Sequence, residues 1–192
     1  MSFEEQLNTL KDEISKELGN SIPTYKENYD TAKGAVKPTQ ADLIFAIIHI
    51  NKGTVNAFQN ESEVINIIPE FERLLVLATY YDKLIHDKKN DLDNKEALLD
   101  FSQDLLNHIV QLLIEKNHDY GSSYYKVAKV LGPGTSFSVR FLDKGNRLEQ
   151  FETLYRNGLN LKVKDESVSD TIRDLLGYYL LYMITVRTMK RS

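Results

Sequence analysis

Apolar residues recur at intervals of three and four along most of this chain, the spacing of helices with one buried face. Phe3, Leu7, Leu10, Ile14 and Leu18 open the pattern, and Gly19-Asn20 reads as a C-terminal stop. From Pro23 to Pro38 the signal thins to Tyr25 and Tyr29, enough for a short helix before K-G-A-V-K-P. Thr39 is placed to cap a helix through Leu43, Ile44, Ile47, Ile48 and Val55. Residues 60–66 read as a connection or a single turn. Pro69 suits the first turn of the next helix, which carries Phe71, Leu74, Leu75, Leu77, Ala78 and Leu84. The most polar stretch, H-D-K-K-N-D-L-D-N at 86–94, separates an N-terminal helical region (1–93) from residues 94–192. It reads as an exposed loop within one compact unit.

Beyond it, a long helix is predicted from about Asn94, with an apolar arc from Leu98 to Ile114 wide enough for a central position. It should end near Gly121. Tyr124, Val127, Ala128 and Val130 mark a short helix closed by L-G-P-G-T-S, and a further helix is expected from about Ser136 to Asn157. After a loop at 158–164, the last helix should start at Asp165, as N-cap or first-turn residue, and run almost to the end. No strand alternation occurs. The predicted fold is an all-α helical bundle with long central helices at 94–118 and 165–191. The N-terminal helices would pad it or build a homo-oligomer interface.

Composition removes several function classes. The net charge of −4 gives no long-range attraction to duplex DNA or to an anionic membrane. The chain has no cysteine, which excludes disulfides, thiolate catalysis and Cys-ligated metal centres. The N-terminal M-S-F-E-E-Q-L is acidic and amphipathic rather than a signal peptide, and no apolar run reaches the roughly 20 residues of a membrane span. A cytoplasmic protein is the simplest expectation. G-P-G-T-S lacks the Lys of a P-loop, and no nucleophile elbow is present.

What remains is three polar clusters: E-K-N-H-D-Y-G-S-S from Glu115, R-F-L-D-K-G-N-R from Arg140 and D-E-S-V-S-D-T-I-R-D from Asp165. Glu166, Asp170 and Asp174 are spaced four apart, one helical stripe. The stripe could be a solvated face. However, it repels itself and leads into Gly177, Leu181 and Ile184 of an almost wholly apolar half-helix, so it is better suited to lining a cleft. Clustered carboxylates suit Mg²⁺ or Mn²⁺. Glu115 and Asp119 form a further pair near a helix C-terminus, where a cation or Lys116 must offset the dipole. Arg140, Lys144 and Arg147 share a face with Asp143 beside them, either as a surface ion-pair ladder or as phosphate ligands. Asn117 and His118 read as local hydrogen-bonding or surface groups. The paired tyrosines (80–81, 124–125, 178–179) read as core and interface residues, and Tyr120 as a base-stacking or turn-packing residue.

These motifs resemble the nucleotide modification associated domain family, first type, a helical family of phage and bacterial genomes. Its pattern Lys-x-x-Asp-Tyr-Gly, Arg-x-x-Asp-Lys-x-x-Arg, Asp-Glu-Ser-x-x-Asp-Thr is met by Lys116, Asp119, Tyr120 and Gly121, by Arg140, Asp143, Lys144 and Arg147, and by Asp165, Glu166, Ser167, Asp170 and, beyond the motif, Asp174. The resemblance spans 116–175, and residues 1–95 carry none. The last helix is also similar, more loosely, to the metal helix of all-α NTP pyrophosphohydrolases of the MazG and dimeric dUTPase kinds. Their Glu-Glu-x-x-Glu helix has no true copy here, and Glu115 with Asp119 would have to replace it.

The resemblance implies a Mg²⁺- or Mn²⁺-dependent hydrolase of a nucleoside triphosphate or modified nucleotide. Glu166, Asp170 and Asp119 would be catalytic, and these three with Asp174, Glu115 and Asp143 would hold the metal. Lys116, Arg140, Lys144 and Arg147 would bind phosphates, and Tyr120 the base. The alternative from another class is a non-catalytic nucleotide- or partner-binding module, in which the clusters form salt bridges directly.

Overall fold

Seven α-helices and no strand are found among the residues described in the computed structural model: 1–33, 38–60, 66–86, 94–120, 122–159 and 167–190 (backbone alone at 27–33, 60 and 120). They are α1 Phe3–Lys33, α2 Gln40–Asn60, α3 Ile68–Ile85, α4 Lys95–Tyr120, α5 Ser123–Leu131, α6 Pro133–Arg156 and α7 Val168–Lys190. The all-α bundle follows the apolar spacing. Among the described residues no helix is long and apolar enough to cross a membrane.

The helix starts are written locally. Ser2 and Glu5, and Thr39 and Asp42, each exchange backbone N–H and side-chain oxygen, a reciprocal cap three residues apart, and a third pair, Ser167 and Asp170, makes half of that exchange, the Asp170 N–H donating to Ser167 Oγ. In the third pair the Ser167 hydroxyl donates to the Asp170 carboxylate. Asn94 accepts the Ala97 N–H at α4, and Pro69 sits in the first turn of α3, as expected. The last helix starts at Val168, later than expected, and carries Asp170 and Asp174 of the predicted acidic stripe. Asp165 and Glu166 lie outside the described residues. Conversely, α6 starts early, at Pro133, because Gly132 takes a positive φ of 79° and lets the chain turn out of α5.

The expected break at Gly19-Asn20 is absent: α1 is one 31-residue helix with Pro23 inside it. The stripe of Leu7, Leu10, Ile14 and Leu18 continues through fully buried Ile22. Pro23 lacks the N–H for the Gly19 carbonyl, but Gly19 is exposed, so water can serve that carbonyl. A tertiary tie also holds the second half of α1 to α3. Ser21 and Tyr25 hydroxyls each donate to Glu72 Oε2 at 3.0 Å.

Glu72 itself is 96% withdrawn from solvent, and its Oε1 accepts no hydrogen bond from a described residue. Burial raises its carboxyl above the ordinary 4.5, against the lowering effect of the two hydroxyls. A raised carboxyl supports the fold while protonated and withdraws that support as pH climbs through the folded value. Glu72→Gln keeps an acceptor for both hydroxyls and cannot ionise. At pH 8 it is expected to raise Tm by about 2–4 °C, the equivalent of about 1 kcal/mol in a chain of this length. The gain should vanish below the ordinary carboxyl range, as thermal melts across pH would show.

α7 is the centre of the bundle and packs against α1, α3, α4, α5 and α6. Its run Y-Y-L-L-Y-M-I is apolar nearly all round, and Leu175, Leu176, Tyr179 and Leu180 are fully buried. α4 is not central in the same sense. It buries one stripe (Leu98, Ser102, Leu106, Ile109, Val110, Leu113) and exposes Glu96, Asp104, His108, Gln111 and Glu115. The half-buried Leu99, Phe101 and Leu105 widened its apparent arc. The N-terminal helices interleave with the rest, α2 along α6, α1 along α4 and α3 along α7.

The α2–α6 contact is close because Gly145 has no side chain. A Cβ there would lie 2.8 Å from Asn51 Nδ2, which donates to the Phe141 carbonyl at 2.9 Å. Next to it Phe58, Phe137, Phe141, Tyr179 and Tyr182 form an aromatic block joining α2, α6 and α7. The Tyr179 hydroxyl donates to Thr54 at 2.8 Å, closing it on α2.

Candidate functional site

A cleft of about 250 Å³ opens where the C-terminal part of α4 meets α5, α6, α7 and the start of α1. Its walls are mainly apolar: Ile109 and Leu113 from α4, Phe137 from α6, Leu181 from α7, and the Phe3–Tyr124 pair, whose ring centroids are 5.9 Å apart. Gly177 lies in the wall, and a Cβ there would meet Leu113 at 3.4 Å. Burial pushes the Tyr124 phenol up to about 12, so it stays protonated and can donate.

The polar part of the lining is cationic. Lys116 and Asn117 come from α4, Arg140 from α6, Arg173 and Asp174 from α7. Lys116 Nζ lies 3.1 Å from Asp174 Oδ1, and Lys144 Nζ lies 3.1 Å from Asp174 Oδ2. Lys144 is buried and has Asp143 at 4.0 Å as second partner. Arg140 forms no ion pair with a described residue, and its Cζ stands 5.9 Å over the Tyr178 ring. Arg173 bonds Asp82 at 3.0 Å and approaches Asp170 at 3.5 Å. Two lysines thus share Asp174, and the arginine beside them has no carboxylate among the described residues, so this end of the cleft favours an anion.

The other predicted site residues are placed differently. Asp170 is exposed and occupied with the Ser167 cap and Arg173. Asp119 is exposed beside His118 at 3.1 Å, and Glu115 accepts from Gln111. Asp143 pairs with Arg147 at 3.7 Å on the outer part of α6. The Tyr120 side chain and Glu166 lie outside the described residues. The structure therefore brings Lys116, Arg140 and Asp174 to the cleft, with Lys144 behind Asp174, and leaves Asp119, Glu115, Asp143 and Asp170 on other surfaces. A hard cation needs several carboxylate oxygens converging on one point. Among the described residues no three His, Asp or Glu side chains gather in that way, so these residues alone do not fit a resident metal.

Four cleft residues escaped the sequence reading. Tyr124 and Tyr178 pack against the core as expected but also line the cleft, unlike Tyr80, Tyr81 and Tyr179. Tyr178 was findable, since it stands four residues after Asp174 on the same helical stripe. Arg173 and Phe3 gave no local signal. Comparison with protein-family models, with curated proteins and with solved structures finds no match to this chain.

Proposed function

We propose that this protein is a nucleotide-binding helical module whose ligand occupies the α4–α7 cleft, with its phosphate at Arg140 and Lys116. The observation that carries the proposal is Arg140, a guanidinium held on an aromatic ring at an apolar cleft, without a carboxylate among the described residues. Such a group is suited to bidentate phosphate contact. Lys116 is half-exposed and shares its carboxylate, so it can turn to a second oxygen at little cost. The direct Lys116–Asp174–Lys144 pairing favours this module over a carboxylate set reserved for metal.

The hydrolytic reading is the finer form of the same proposal: an all-α NTP pyrophosphohydrolase-like bundle cleaving a phosphoanhydride with Mg²⁺ or Mn²⁺. It is supported by the order of the three motifs in the sequence. It needs carboxylates beyond those gathered at the cleft, Glu166 first.

Thermal shift separates the two forms, because a ligand that binds only the folded state raises its apparent stability. Nucleoside mono- and triphosphates should stabilise the wild type, and Arg140→Gln should weaken them about tenfold or more, the scale of a charge-assisted hydrogen bond. A shift that requires Mg²⁺ and disappears in Glu166→Gln would favour the hydrolase. A panel with no shift would remove the nucleotide reading altogether.

A further inference from the structure

We infer that the exposed face of α6 is the contact between two copies of this chain, packed antiparallel about a twofold axis that crosses the helix near Lys144 and Gly145. Positions 135, 139, 142, 146, 150 and 153 recur every three or four residues and are all exposed, so they form the outermost strip of α6. Thr135, Val139, Leu142, Asn146, Gln150 and Thr153 occupy it, with no charge over about five turns. The outer face of a solvated helix normally carries charge, as α4 does with Glu96, Asp104 and Glu115. Single exposed apolar residues are ordinary. Here, however, Val139 and Leu142 stay 60% and 42% exposed inside a strip from which charge is missing. Apolar residues within a charge-depleted patch are the composition of an interface core. Val130 and Leu131, also exposed, lie just ahead of Thr135 in the chain, so exposed apolar surface gathers at that end.

The charges beside the strip identify the occupant. In a twofold contact each pairing occurs twice, residue i of one protomer with residue j of its partner and the reverse. Antiparallel helices also turn the same flank towards each other. Asp143 and Arg147 share one flank of the strip, four residues apart on either side of its midpoint. When the strip is centred on its own copy, Asp143 comes opposite the partner's Arg147, and Arg147 opposite the partner's Asp143. Within one chain these two side chains approach each other at 3.7 Å and remain about half exposed. The dimer closes them into a ring of four alternating charges around an uncharged centre. A foreign helix of uniformly acidic or basic character would match one of the two charges and oppose the other, whereas a second copy matches both. The contact is separate from the nucleotide reading and does not depend on it.

The test is sedimentation equilibrium of the full chain at micromolar concentration. The wild type should sediment at twice the 22.1 kDa mass of the chain. Leu142→Lys puts an unpaired charge into the contact and should weaken the dimer about a hundredfold or more, with the circular dichroism of the wild type retained. Asp143→Arg and Arg147→Asp should each weaken self-association about tenfold or more, because each variant then sets like charges opposite one another. Mixed together, the two charge variants should associate as tightly as the wild type, since the mixture restores both cross-pairs. They leave the apolar strip intact, and Lys144 keeps Asp174 at 3.1 Å, so they serve if the lysine variant misfolds. A monomeric wild type would overturn the proposal, and so would a dimer that Leu142→Lys leaves unchanged. Charge variants that each self-associate as well as the wild type would overturn the antiparallel pairing.

Discussion

Phe141→Ala is expected to destabilise the protein by about 3–5 kcal/mol, the largest loss from any single side chain described here. Phe141 is fully buried and stacks on Tyr179 at 4.4 Å between centroids and on Phe58 at 5.7 Å. It therefore touches both α2 and α7, and its removal leaves a hole that neither can fill alone. The Asn51 hydrogen bond goes to the Phe141 backbone carbonyl and survives the change, so the loss belongs to the ring. At about 2–4 °C per kcal/mol, Tm should fall by about 6–20 °C. Phe141→Leu refills much of the volume and should recover more than half of that. A double-mutant cycle with Tyr179→Leu should show a coupling of about 0.5–1.5 kcal/mol, the part due to ring stacking. A Phe141→Ala protein within a degree or two of the wild type would mean that the aromatic block does not hold α2, α6 and α7 together.

The second large effect is expected at Asp174, which two lysines depend on in unequal degree. Lys116 is half-exposed and loses little when the carboxylate goes. Lys144 is only 8% exposed, and Asp143 at 4.0 Å would be its remaining partner. Asp174→Ala should therefore cost about 1–3 kcal/mol, the penalty for leaving a buried polar group without its bond. Adding Lys144→Met should restore most of it, since an apolar chain of similar length then fills the site without a charge to solvate. Chemical denaturation of the wild type, both single variants and the double variant measures this. The same variants bear on function. With Asp174 gone, Lys116 and Arg140 face the cleft without a competing carboxylate, and nucleotide monophosphates should bind severalfold more tightly in the absence of divalent ions. Weaker binding, restored by Mg²⁺ in the wild type only, would instead assign Asp174 to a cation carried on the phosphates.

The bundle was legible because it depends on spacing, and spacing is local. Thr39, Pro69 and Asn94 announced their helix starts, since a cap needs only three or four residues to be recognised. Gly19-Asn20 misled because the decisive contact, Glu72 with Ser21 and Tyr25, lies some fifty residues away in sequence. Asp165 misled because a better cap, Ser167 with Asp170, follows two residues later. The same limit applies at the cleft. Lys116, Arg140 and Asp174 stood out as charges in apolar helices. That two lysines converge on one of the carboxylates is a fact of three helices meeting, and no single segment contains it.

The side-chain caps at Ser2, Thr39 and Ser167 have a consequence for how this architecture can vary. Each fixes where its helix begins using residues that lie within four positions of one another. The rotational phase of α2 and α7, and so the direction in which Asp174, Gly177 and Tyr178 face, is thereby insulated from the length of chain that leads into them. A longer connection costs only about 0.6 kcal/mol for each doubling of its length. Relatives of this protein could gain or lose residues ahead of either helix and still present the same cleft.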